Sequence, residues 1–212
     1  DELPLIIYQI EAIASQGITD FAITTGHMED KLKDLINKRF GSKYRFQFIY
    51  NPDYQDTNYI YSIFLALDEL SDDLILLHGD LYFTKNTLSQ LLSAERSSVV
   101  VDSTLPLPEK DFKARIQNNR VRQIATYIHD TDCIACQPLY KLNKEDWSIW
   151  ANAIREFCDA GKTDVYAEEA LNTVLNKIDL RVLDIKGQLC MEVDTPEDLE
   201  LLRSRKEGTR NE

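Results

Sequence analysis

The chain has 212 residues, of which 43% are hydrophobic and 28% charged, enough apolar material for one sizeable core. Its formal net charge of -12 argues against a nucleic-acid partner, because phosphate backbones need a basic face. It leaves room for a nucleotide, since a metal ion can bridge acidic protein and anionic ligand. No apolar run approaches the ~20 residues needed to span a bilayer, so no membrane insertion is expected.

In chain order, Leu5, Tyr8, Ile10, Ala12 and Ile13 mark a helix that opens at Pro4 and ends near Gly17. Thr19 to Thr25 predicts a strand closed by Gly26-His27. A helix over Glu29 to Phe40 stops at Gly41, and Arg45 to Tyr50 is a second strand ended by Asn51-Pro52-Asp53. This alternation is the doubly wound α/β rhythm. Asp56 or Thr57 is then expected to cap a helix running through Leu70. That places Thr57, Asn58 and Ser62 at or near a helix N-terminus, where free N–H groups and small polar side chains suit a base or phosphate. An ordinary capped first turn accounts for the same three residues.

The stretch Asp72 to Phe83 (D-D-L-I-L-L-H-G-D-L-Y-F) carries the strongest signal. Leu74 to Leu77 reads as a strand buried on both faces, as in a parallel sheet between helices. His78 and Gly79 end the apolar run, and Asp80 lies just beyond the strand's carboxyl end, where open α/β sheets bind ligands. A carboxylate there can hold a divalent metal against phosphate oxygens, or simply begin a turn.

A helix over Lys85 to Ala94 and a buried strand over Ser97 to Asp102 follow. Asp111–Ile116 and Arg120–Ile124 alternate with period two around Gln117-Asn118-Asn119, a hairpin whose asparagines accept positive φ. Lys113 and Arg115 lie two apart on its first arm. Lys113 there either neutralises a phosphate or belongs to a solvated face. Asp132 to Leu142 is a further strand containing Cys133 and Cys136. Without two more ligands at zinc spacing, and with alternation sending the two thiols to opposite faces, they read as small buried thiols of a cytoplasmic protein. A helix from Lys144 to Ala160 carries Trp147 and Trp150, and a helix led by Asp164 to Glu169 runs to about Lys177. Strands over Arg181–Ile185 and Leu189–Val193 flank a Gly187-Gln188 turn. Thr195 caps a last helix with Pro196 at its first position, and the tail from Arg203 is expected to fray.

His27, His78 and His129 lack a nucleophile in any recognisable motif, and H-E-x-x-H, Walker A and G-x-G-x-x-G patterns are absent. What remains is Asp80 after one strand and Asp194 after another. If they converge, they form a Mg²⁺ site completed by phosphates and water, as nucleotidyl transfer requires.

The order of F-A-I-T-T-G, N-P-D-Y-x-D-T-N-Y-I-Y-S-I, L-L-H-G-D-L-Y-F and M-E-V-D-T-P-E-D-L resembles the sugar-phosphate pyrophosphorylase type of nucleotidyltransferase. It looks most like the branch of bacterial CTP:phosphocholine and phosphonate cytidylyltransferases. The resemblance implies a three-layer α/β/α fold with a GT-A-like, Rossmann-type mixed sheet, and transfer of CMP from CTP to a small phospho- or phosphono-alcohol. It assigns the catalytic Mg²⁺ to Asp80 and Asp194. It places Thr57, Asn58, Ser62 and Gly79 near the nucleotide, and Lys113 at the acceptor phosphate. Tyr166 and Glu168 match a Y-x-[DE] block and become the expected contacts of a choline-like head group, although an aromatic beginning a helix is commonly packing.

The family's opening strand, its L-A-A-G-x-G-x-R-L loop and a following P-K have no counterpart in these residues. The expectation is therefore one nucleotidyltransferase domain over 1–212 without them, the segment being either lost or encoded before Asp1. Two alternatives accompany this reading: a sugar-1-phosphate nucleotidyltransferase and a catalytically degenerate nucleotide-binding module.

Overall fold

The computed structural model describes residues 3–210. Helix α1 (Leu5–Ala14) begins after Pro4, which is its N-cap rather than its first residue. Strand β1 (Asp20–Thr25), helix α2 (Glu29–Phe40) and strand β2 (Arg45–Tyr50) follow, and β1 pairs with β2 in parallel from Asp20↔Arg45 to Thr25↔Tyr50. Gly26 directly follows β1, and a Cβ there would lie 2.8 Å from the Tyr54 side chain. Only glycine lets the loop after β2 close over the end of β1.

Helix α3 (Tyr59–Ala66) runs into a 3₁₀ turn at Leu67–Glu69. Its cap is Asn58, whose Oδ1 accepts from Tyr59 N at 2.7 Å, and not Asp56 or Thr57 as expected. Strand β3 (Leu74–Leu77), β4 (Leu81–Phe83), α4 (Lys85–Leu92) and β5 (Ser98–Asp102) come next. The hairpin is β6 (Lys113–Gln117) and β7 (Arg120–Ala125), and Asn118 and Asn119 both take positive φ (53° and 60°). It is followed by β8 (Cys133–Leu142), α5 (Lys144–Asp159), α6 (Ala167–Val174), β9 (Arg181–Asp184), β10 (Cys190–Glu192) and α7 (Pro196–Arg210). The expected frayed tail is instead helical through Arg210.

Six strands join in the order β3-β8-β5-β9-β7-β6. The ten-residue β8 serves both ends of this sheet. Its residues 139–142 pair with β3 and its residues 133–135 with β6. Period-two alternation builds the layers. Val99, Val101, Tyr140 and Leu142 face one cluster with α3, α5 and α6, while Val100 and Leu139 face another with α1 and α4. The result is the expected three-layer α/β/α arrangement. Cys133 and Cys136 fall in different clusters, and all four cysteines are buried free thiols.

Two expectations need correction. Strand β3 does have helices on both faces, with Leu74 and Leu76 packed in one cluster and Ile75 and Leu77 in the other. It is nevertheless antiparallel to its neighbour β8 and only half-buried, because no strand among the described residues pairs with its other edge. Strands β9 and β10 are not hairpin partners either. β9 runs parallel to β5, while β10 crosses to pair with β4, and the intervening turn, with positive φ at Lys186 and Gly187, redirects the chain. Among the described residues no helix is long and apolar enough to cross a membrane.

Candidate active site

The site is built where β3 and β10 end side by side. Residues His78 to Asp80 form the turn between β3 and β4. Because β4 pairs antiparallel with β10, Glu192 lies opposite Leu81. Val193 N donates to Asp80 O at 3.0 Å, which extends the ladder and delivers Asp194 next to that turn. From below, Gln9 of α1, 2% exposed, donates through Nε2 to the carbonyls of His78 (2.9 Å) and Leu81 (2.7 Å). A buried amide that spends both protons on one turn fixes the direction of the side chains above it. The same capping box that starts α7 fixes the other wall. Thr195 N donates to Asp198 Oδ2 at 2.9 Å, and Asp198 N donates to Thr195 Oγ1 at 3.2 Å.

His78, Asp80 and Glu192 each offer a ligand atom, all within 4.8 Å of one another. Nδ1 of His78 lies 3.2 Å from Oε1 of Glu192. Asp194 is exposed beside them, and its carboxyl pKa is raised, first by partial burial and then by the charges of Asp80 and Glu192. The expected pairing of Asp80 with Asp194 is therefore present as an electrostatic neighbourhood, but the compact donor set uses Glu192 and His78. Gly79 is exposed with open space above its Cα, so nothing blocks an approach to the turn.

Four buried side-chain oxygens among the described residues lack a hydrogen-bond partner: Tyr59 Oη, Asp80 Oδ1, Glu168 Oε2 and Asp179 Oδ1. Asp179 is ion-paired with Arg120 and Arg181. The other three belong to one neighbourhood. The Tyr59 ring stands edge-on to His78 at 4.6 Å and 6.1 Å from Tyr166, and the charge of Glu192 acts on Glu168. Buried polar atoms left unpaired cost roughly 1–3 kcal/mol each and commonly mark a ligand site.

Of the residues expected at the nucleotide, Thr57 and Ser62 are brought together by one the sequence reading passed over. Asn51, 1% exposed, donates from Nδ2 to Thr57 Oγ1 (3.0 Å) and Ser62 Oγ (3.1 Å). Thr57 passes its own proton to Asp53 O at 2.8 Å. Asn58 is committed through Oδ1 to the α3 cap.

Tyr166 and Glu168 line a cavity of about 110 Å³ with Phe112, Thr126, Tyr127 and Asn172. Phe112 meets Tyr166 edge-on at 5.1 Å and lies 6.4 Å from His78, so it forms the wall between this cavity and the carboxylate cluster. Glu168 is 1% exposed, and its Oε1 accepts from Tyr140 Oη at 2.7 Å. Burial, with a smaller contribution from Glu192, pushes its pKa up to about 8. The folded protein thus keeps a proton that the unfolded chain releases above its ordinary value of 4.5. Metal-free stability is expected to fall as pH rises from about 5 to about 8, with a slope approaching about 1.4 kcal/mol per unit. Glu168→Gln should flatten that dependence in urea titrations run at several pH values, and an unchanged slope would contradict the assignment.

Lys113 is not at the surface. It is fully buried, and its Nζ donates to the carbonyls of Asp111 (3.1 Å), Glu109 (3.3 Å) and Thr126. Burial pulls its pKa below the usual lysine value. Its three donors tie the loop that presents Phe112 to the residue just after β7, so it braces the site wall and does not face a phosphate. Arg115 lies on the same side of β6, next to the same Cys133 of β8. It is paired with Asp130 and Asp132. Lys113→Met is expected to cost about 2–4 kcal/mol of stability, read from the urea midpoint. A normal midpoint with lost phosphate affinity would return Lys113 to the phosphate.

Carboxylates thus gather beside an open turn at the strand ends of a three-layer α/β/α sheet. Residues 3–150 match the model of a family described as a domain of unknown function (DUF6564), and the chain belongs to that family. It is similar to the CTP:phosphoglutamine cytidylyltransferase of Campylobacter jejuni, 25% identical over 223 residues that cover 93% of this chain and 86% of the relative. It is also similar to the choline-phosphate cytidylyltransferase of Streptococcus pneumoniae, 24% identical over 206 residues, covering 93% and 82%. Among solved structures, the inositol-1-phosphate CTP transferase from T. maritima shares the fold with a TM-score of 0.75 at 21% identity, covering 96% of this chain and 84% of that one. The resemblance seen in the sequence blocks is thus borne out.

Proposed function

We propose that this protein transfers CMP from CTP to a small acceptor bearing a phosphate or phosphonate, releasing pyrophosphate. The observation that carries the proposal is the convergence of Asp80, Glu192 and Asp194 at the carboxyl ends of neighbouring strands, with a buried Asp80 oxygen left without a partner. The relatives' CTP and phospho-acceptor chemistry supports it. An acceptor oxygen attacks the α-phosphorus of CTP, the bond to the bridging α–β oxygen breaks, and that oxygen leaves with pyrophosphate. Positioning and charge neutralisation carry most of the catalysis in such a displacement. The donor set fits a divalent cation such as Mg²⁺. Asp80 and Glu192 would hold it with Asp194 beside them, and when bound it would offset the charge of the triphosphate. Thr57 and Ser62, fixed by Asn51, offer hydroxyls on the nucleotide side.

For the acceptor, an aromatic wall of Phe112 and Tyr166 beside a buried acidic side chain favours a cationic head group over a neutral polyol. A positive charge at this cavity would draw the Glu168 proton off. Comparing product formation from CTP with phosphocholine, 3-aminopropylphosphonate and inositol 1-phosphate tests this. Higher kcat/KM for the two cationic acceptors is expected. A preference for inositol 1-phosphate would keep the chemistry and remove the head-group reading.

A further inference from the structure

We propose that His78 is a nitrogen ligand of the divalent centre, and that it makes this site prefer a first-row transition ion such as Mn²⁺ or Co²⁺ to Mg²⁺. The proposal rests on the reading of Asp80 and Glu192 as cation-binding. It begins from the ligand atoms of His78, Asp80 and Glu192, all within 4.8 Å of one another on three backbone-fixed positions. Nδ1 of His78 and Oε1 of Glu192 are 3.2 Å apart. Two ligands placed at right angles about 2.1–2.2 Å from one ion are separated by about 3 Å, so the pair already has the spacing of adjacent ligands.

The imidazole is held for this purpose from several sides. Gln9 fixes its backbone carbonyl at 2.9 Å, and Tyr59 and Phe112 stand edge-on to its ring at 4.6 and 6.4 Å. The unpartnered, buried Oδ1 of Asp80 is the independent sign that the cluster awaits a positive charge. Mg²⁺ is satisfied by oxygen ligands and retained water, and gains little from imidazole. Transition dications bind nitrogen more strongly, in increasing order from Mn²⁺ through Co²⁺. One imidazole with two carboxylates is therefore a donor set that separates the two classes of ion.

The test uses Mn²⁺ alone, added to the whole protein without nucleotide. Electron paramagnetic resonance counts the bound ion, and its pulsed form detects ¹⁴N coupling from a directly bound ring nitrogen. The wild type is expected to show that coupling and to hold Mn²⁺ at least about tenfold more tightly than Mg²⁺ measured by competition. His78→Asn should lose the coupling and most of the preference while binding Mg²⁺ within roughly threefold of wild type. Bound Mn²⁺ without ¹⁴N coupling in the wild type overturns the proposal whether or not the variant folds, as does failure of Mn²⁺ to bind. A normal ¹⁴N signal that survives in Asp80→Asn would instead remove the carboxylate reading and leave His78 a ligand.

Discussion

Asp80→Asn is expected to leave the urea midpoint near that of the wild type and to lower CTP-dependent pyrophosphate release at least about a hundredfold. The substitution keeps the size of the side chain and removes its charge. The fold does not rely on that charge. The backbone of Asp80, not its carboxylate, receives Val193 N, and Oδ1 has no partner among the described residues. In metal-free protein the charge is a liability, because together with burial and Glu192 it raises the pKa of Asp194. Removing it should lower the Asp194 pKa, which NMR titration can follow, and leave stability unchanged or slightly improved. Turnover is the opposite case, since one fewer carboxylate at the cation leaves the triphosphate less neutralised. Activity within a few-fold of wild type would contradict the role given to Asp80.

Trp150→Ala is expected to be the costliest single change to the fold, about 3–5 kcal/mol. Trp150 is fully buried, stands edge-on to Tyr140 at 5.4 Å and to Trp147 at 6.0 Å, and donates from Nε1 to Ala167 O at 3.0 Å. Truncation leaves a cavity and removes the hydrogen bond that ties α5 to the first residue of α6, the helix that carries Glu168. Trp150→Phe, which keeps one ring and loses the donor, should cost less. A urea midpoint for the alanine variant equivalent to a loss under about 1 kcal/mol would mean that the layer formed by α5 and α6 is not the packed core described above.

Periodicity made the elements readable, because alternation and 3.6-residue spacing are properties of single segments. The bounds of α2 and β2 and the Asn118-Asn119 turn follow from local chemistry alone. Which edges pair is not a local property. Leu74–Leu77 reads the same whether its neighbour is parallel or antiparallel, and the crossing of β10 to β4 depends on contacts more than a hundred residues apart. The cap moved to Asn58 because Asp56 and Thr57 stay in the preceding turn, where Thr57 bonds Asp53 O.

The site was legible in part for a related reason. Asp80 and Asp194 stand out as carboxylates after apolar strands, while Gln9 and Asn51 look like any polar residues and acquire meaning only from burial. Lys113 deceived in the other direction, since sequence does not reveal that three carbonyls wait for a buried ammonium. One signal was available. H-G-D and E-V-D each set two donors at positions i and i+2 at the end of a short apolar stretch. Laid side by side, the two triplets predict His78 and Glu192 along with the two aspartates.

Pyrophosphate release is the most direct measurement, made on the protein expressed from its full open reading frame and supplied with CTP, phosphocholine and either Mg²⁺ or Mn²⁺. Release that requires CTP, acceptor and divalent ion together is the predicted result. Release with an aminoalkylphosphonate but not phosphocholine would keep the reaction and change the acceptor. Silence with every acceptor, while CTP still binds, would contradict the enzyme reading and leave a nucleotide-binding module in its place.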